Sequence, residues 1–204
     1  MIKNVNINGK KNMFRPDLIE RYIETDACIV KDTRNESKKI STVQNLSKRV
    51  SCEKWNLPEY CFTHSYQTTA ISKLYLNLED ESVDHRSIII KELTHKISGY
   101  KRQDIDKRIY DNDLFVSLED IICKLLCSKL KCFYCKHLCE LLYENIYSKL
   151  QWTLDRIDNN AGHNVDNVVV CCLECNLKKG TMDSARFKYG KQMTIRKIEN
   201  YNEN

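Results

Sequence analysis

Apolar positions recur at a helical period most clearly between residues 117 and 130. Leu118, Ile121, Ile122, Leu125, Leu126 and Leu130 fall at i, i+3, i+4, i+7 and i+8, which lays one continuous stripe along a helix. Ser117-Leu-Glu-Asp120 fits a capping box at its start. A second helix is expected over Ser82–Ile97 from Val83, Ser87, Ile90, Leu93, Thr94 and Ile97, with Gly99 as the stop. The polar run Tyr100–Asp113 then reads as a link. Farther along the period changes to two. In Gln151–Ile157, Trp152 and Leu154 face one way and Thr153 and Asp155 the other, so this is a strand. Val168–Cys171 is β-branched and strand-like, and the intervening Asp158–Asp166 (DNNAGHNVD) is turn chemistry. Asn176 stands where a helix would begin, with Lys178 and Lys179 in its first turn and Gly180 to end it.

Other stretches are less patterned. Residues 1–14 read as a polar arm, a short helix is expected from Asp17 through Leu18, Tyr22 and Ile23, and Lys31–Lys39 is a charged loop. Ser41–Val50 fits another helix. Cys52–Leu78 gathers enough aromatic side chains for a small core. Leu138–Leu150 is apolar and Tyr-rich, suiting either a helix or a hairpin arm. The elements together predict an α+β chain. A mainly helical region, residues 1–105, precedes a strand–loop–strand–helix domain, residues 106–204.

Composition narrows the class. Charged residues make up 30% of the chain, glycine and proline number five and two, and no apolar run approaches a membrane span. The first residues lack an apolar signal-peptide core, which argues against secretion. The net charge of +5 is uneven. Residues 1–60 hold twelve basic against eight acidic side chains and residues 176–204 hold seven against three, leaving the middle at −3. Basic flanks suit a polyanion partner; a solvated Lys- and Asn-rich surface would give the same pattern.

Cysteine spacing adds the sharpest chemistry. Cys132/Cys135 and Cys172/Cys175 are two Cys-x-x-Cys pairs separated by 36 residues. Four thiolates on two such turns are what tetrahedral zinc requires. Eleven cysteines, an odd number, cannot all pair as disulfides. A reducing intracellular compartment is therefore expected, in a host cell or a bacterial cytoplasm. Cys171 is expected in the core, as are Cys123 and Cys127.

From Cys132 to Gly180, about a quarter of the chain, this arrangement resembles the HNH endonuclease family, and its overall look is similar to HNH proteins of phages and large DNA viruses. In that family's ββα-metal pattern, an Asp-His pair ends the first strand, an Asn opens the second, and an Asn or His begins the helix after Cys-x-x-Cys. Asp155, Asn167 and Asn176 match the Asp and the two Asn positions. The four cysteines match the structural zinc ligands. The resemblance implies a Mg²⁺ or Mn²⁺ ion between Asp155 and Asn176, with Asn167 setting the loop. A carboxylate and an amide oxygen suit such a hard ion, as sulfur suits zinc. Helix N–H groups beside Asn176 would face a phosphate, and Lys178, Lys179 and Arg186 would add counter-charge to bound DNA, expected before RNA.

One position departs from the pattern. Arg156 stands where the family carries its general-base His, and a guanidinium cannot accept a proton from water. Three alternatives stay open. His163 in the same loop activates the water; or the metal does so with Arg156 bracing a phosphate; or the domain binds nucleic acid without cutting it. If the ion site is intact, Arg156→His is expected to raise cleavage. The first hundred residues are left with nucleic-acid specificity as their expected role.

Overall fold

Helices cover both faces of the small sheet formed by the two strands expected from the sequence. A computed structural model of the chain describes residues 47–49, 54–76 and 85–193. These lie in one unit, residues 41–204. The polar arm, the helix from Asp17, the charged loop, most of Ser41–Val50, Cys52 and Val83 lie outside the described residues.

The described elements are a 3₁₀ turn at Glu59–Phe62, α1 (His64–Tyr75), α2 (Arg86–Asp106), α3 (Leu118–Cys127), β1 (Trp152–Arg156), β2 (Val168–Cys172), α4 (Leu173–Lys179) and α5 (Ser184–Gln192). The fold is α+β. β1 and β2 pair antiparallel, with Trp152 opposite Cys172 and Asp155 opposite Val169. A two-stranded sheet is marginal in water, and here both faces are covered. From α2, Lys96 Nζ lies 4.7 Å from the Trp152 ring centre, and Tyr100 Oη accepts from Leu154 N at 2.9 Å. From α4, Asn176 Nδ2 donates to Thr153 Oγ1 at 3.0 Å. Double coverage explains why all five residues of β2 are apolar and buried.

Ser117 and Asp120 close their capping box: Ser117 Oγ accepts from Asp120 N at 3.1 Å, and Asp120 Oδ2 accepts from Ser117 N at 3.0 Å. The apolar stripe of α3 then buries Ile121 and Leu125 completely, each worth roughly 1.5–3 kcal/mol. Lys124 interrupts the stripe because its ammonium reaches the Val168 carbonyl at 3.2 Å, tying α3 to β2. The helix ends at Cys127, short of Leu130. Lys129 and Leu130 adopt φ of 51° and 52°. Leu130 N bonds to Leu125 O and Lys129 N to Leu126 O, a Schellman closure. This turn keeps Leu130 buried and delivers the chain to Cys132.

Two expectations change. Gly99 does not stop α2, which runs on to Asp106 through the expected link. Glycine inside a helix costs only about 0.5–1 kcal/mol relative to alanine, and continuing buries Tyr100 and Asp104. Leu138–Leu150 forms neither a helix nor a hairpin arm. It is held by isolated bridges, Lys131 with Leu138 and Glu140 with Gln151. Gln67 on α1 supplies the missing ladder: its Nε2 donates to Leu142 O at 3.1 Å and its Oε1 accepts from Leu141 N at 2.7 Å. No described helix is long and apolar enough to cross a membrane.

Candidate functional site

Cysteine geometry fixes the base of the site. The first knuckle follows α3, and Phe133 N bonds to the β2 carbonyl of Val170 at 2.9 Å. Lys136 takes φ 61° to turn the chain back after Cys135. The second knuckle spans the β2–α4 junction, with Cys172 as the helix N-cap. The four sulfurs of Cys132, Cys135, Cys172 and Cys175 lie within 4.8 Å of one another, and Cys135 and Cys172 are 3.8 Å apart. Sulfurs about 2.3 Å from a tetrahedral zinc would sit about 3.8 Å apart, so the group can hold a metal ion such as zinc. Crowding splits their proton affinities: hydrogen bonds from Cys135 and Cys172 pull Cys132 down, while Cys172 is pushed up. Cys171, fully buried beside Thr153, points away from this group.

Because both Cys172 and Cys175 must reach one point, the knuckle itself becomes the first turn of α4. The helix therefore starts at Leu173, three residues before Asn176, and Lys178 and Lys179 fall in its last turn. That corrects the expected anion site. The leading amides are already used, Leu173 N by Gln151 O at 2.9 Å and Glu174 N by Lys149 O at 3.0 Å. Gly180, at φ 53°, ends the helix as expected.

Above this base lies a cavity of about 550 Å³ whose walls include Thr153, Leu154, Asp155, Arg156, His163 and Asn176. Asn176 Nδ2 is committed to Thr153 Oγ1 and to Leu154 O at 3.1 Å, and no bond within the described residues takes up its Oδ1. Asp155 is buried, its carboxylate accepting the Tyr134 hydroxyl on Oδ2. Tyr134 also meets Ser184 Oγ at 2.6 Å. Burial, then the Asp155 contact, holds the Tyr134 phenol protonated far above its usual range. Lys179 Nζ stands 3.2 Å from Asp155 Oδ2 and 3.0 Å from Arg156 O. It is 1% exposed, so it serves the carboxylate and is not displayed to a polyanion.

Arg156 turns back on its own loop. Its Nη1 donates to Asn159 O at 3.0 Å and Ala161 O at 3.1 Å, leaving Nε and Nη2 as further donors. A shorter imidazole cannot hold both carbonyls, so Arg156→His is no longer expected to raise cleavage. Asn167 closes the loop from its far end: Oδ1 accepts from Asp158 N at 2.8 Å, and Nδ2 donates to Asp158 O and Gly162 O, both at 2.9 Å. Asn167 does not line the cavity. Lys178 is exposed and pairs with Glu174 at 2.7 Å. Arg186, exposed on α5, lies outside the cavity wall.

The loop's other anchor is Asp104 at the end of α2, a residue the sequence reading passed over. Its Oδ1 is 2.7 Å from His163 Nδ1, and its Oδ2 accepts from His163 N at 2.6 Å. Tyr100 stacks on the His163 ring at 4.6 Å. Asp104 lies 59 positions away in a polar run, so no spacing could have paired it with the loop. Comparison of the chain with protein-family models, curated proteins and solved structures gave no match. The chemistry of the site rests on its geometry and on the motif.

Proposed function

We propose that this chain is a metal-dependent endonuclease that hydrolyses nucleic-acid phosphodiesters, DNA before RNA, around a structural zinc on the four cysteines. One observation carries the reading: Asp155 and Asn176 meet on the wall of a single cavity that also contains Arg156 and His163. The donor set fits a Mg²⁺ or Mn²⁺ ion, since Asp155 offers a carboxylate and Asn176 an uncommitted amide oxygen, with positions left for phosphate and water. Such an ion would polarise a phosphate oxygen and offset charge on the leaving oxygen. The remaining work falls to the protein. Tyr134 and Lys179 fix the Asp155 carboxylate, Asn167 and Arg156 hold the loop, and the unused donors of Arg156 can meet a phosphate. Lys178 and Arg186 add surface charge for the strand outside the cavity. A thiolate zinc centre suits a reducing, intracellular setting.

A second reading is a zinc-stabilised nucleic-acid-binding module without catalysis, favoured by Arg156 at the usual base position and by Lys179 against Asp155. Supercoiled plasmid incubated with Mg²⁺ or Mn²⁺ separates the two. Nicking is expected for the native chain, falling at least about 100-fold in Asp155→Asn, in line with loss of a positioned catalytic group. Asparagine keeps the shape and one acceptor for Tyr134 or Lys179, whereas alanine would strand a buried ammonium. Salt-dependent DNA binding with no nicking under either ion would favour the module.

A further inference from the structure

We propose that His163 is the general base of this site and that Asp104, reaching across from α2, is its positioning residue; the assignment rests on the nuclease reading above. The sequence offers His163 as one candidate to activate the water, with no partner to orient it. The structure gives it a built environment, because the side chain is 6% exposed and still forms part of the cavity wall with Asp155 and Asn176.

Two contacts set its chemistry. Asp104 accepts the backbone N–H of His163 and stands 2.7 Å from Nδ1, so the ring is held at both its root and its edge. A carboxylate can only accept, so the neutral ring carries its hydrogen on Nδ1 and leaves the Nε2 lone pair as the basic site. No hydrogen bond within the described residues uses Nε2. Tyr100 stacking at 4.6 Å blocks rotation of the ring. Orienting a histidine base through a buried carboxylate is the logic of the hydrolase triad.

The surrounding charges agree with a base that is neutral at working pH. Burial lowers the His163 pKa, Asp104 pulls it up, and Arg156 and Lys107 push it down again. From α2, Tyr100, Asp104 and Lys107 face the ring, and from β1, Arg156 does. Gly162 makes the approach feasible. A Cβ there would stand 2.6 Å from Ile109 O and 2.8 Å from Asp104 Oδ2.

The step balances in ordinary terms. Nε2 takes a proton from water as the water oxygen forms its bond to phosphorus. The bond from phosphorus to the leaving sugar oxygen breaks, its electron pair stays on that oxygen, and a solvent proton neutralises it. His163 then returns its proton to solvent. Arg156 need not be a base, since its part is to keep the loop carrying His163 in place.

The test uses the full zinc-loaded chain and its Asp104→Asn and His163→Gln variants. Nitrogen NMR of the His163 ring should find hydrogen on Nδ1 and none on Nε2 in the native chain. Asp104→Asn should shift that proton toward Nε2, because the amide can donate to Nδ1. Nicking by both variants should fall about 10²–10⁴-fold, with plasmid affinity retained when Mg²⁺ and Mn²⁺ are left out. The acid limb of the native rate should lie below the ordinary imidazole value of about 6.5 and should vanish in His163→Gln. A native chain that nicks, with both variants nicking at the native rate and the same acid limb, overturns the assignment and leaves the nuclease reading standing. An Nε2–H ring in the native chain also overturns it. A native chain that never nicks overturns the nuclease reading, and the base assignment with it.

Discussion

Asp155 has two partners that would compete with a bound cation. Tyr134 donates to it and Lys179 neutralises part of its charge, in a setting where an ammonium is 1% exposed. Such an arrangement keeps the carboxylate in one rotamer before a ligand arrives, and preorganisation of this kind favours catalysis. Arg156 and Asn167 do the same for the loop by saturating its carbonyls and amides. Gly162 has no room for a side chain. Gly162→Ala must push Asp104 or the Ile109 carbonyl aside, which is expected to cost about 1–3 kcal/mol. Thermal melting of the pair checks it, and an unchanged Tm would mean that the loop yields without strain.

At the level of elements, α2 links the earlier part of the described chain to the site. Its Lys96, Tyr100 and Asp104 touch β1 and the loop after it. Gly99 sits between them with nothing within 4 Å of its missing Cβ and no left-handed backbone. Gly99→Ala is therefore expected to stabilise the protein by about 0.4–1 kcal/mol, chiefly by restricting the unfolded chain. Chemical denaturation would detect the higher midpoint, and a lower one would place an unseen contact at that face. The same helix marks where the sequence could be read and where it could not. β1, β2, the capping box and the stripe of α3 followed from residue type, period and caps, because those signals are local to each element. The end of α2 could not, since Gly99 looked like a stop and the reward for continuing lies in a loop 59 positions away. The start of α4 was misplaced for a related reason. The convergence of Cys172 and Cys175 on Cys132 and Cys135, not the helix pattern, decides where the chain turns. Lys179 read as a surface cation because a sequence does not reveal that Asp155 is buried opposite it. His163 was within reach as a candidate, but its partner was not.

For the molecule as a whole, α4 joins the four-sulfur group that can hold a metal ion to the cavity lined by Asp155 and Asn176. The sulfurs join the first knuckle to the β2–α4 junction, and α4 bonds Asn176 to Thr153 and Leu154 of β1, on the cavity wall that Asp155 shares. On the proposed reading the sulfur group supports the geometry of the oxygen-donor site, and the two should be separable by substitution. Metal content with Mn²⁺ binding followed by electron paramagnetic resonance tests this most directly. The native chain should hold one zinc and one Mn²⁺; Asp155→Asn should keep the zinc and lose the Mn²⁺, and Cys172→Ser should lose both. A native chain that binds no Mn²⁺, or an Asp155→Asn chain that binds it as well as the native one, would contradict the account.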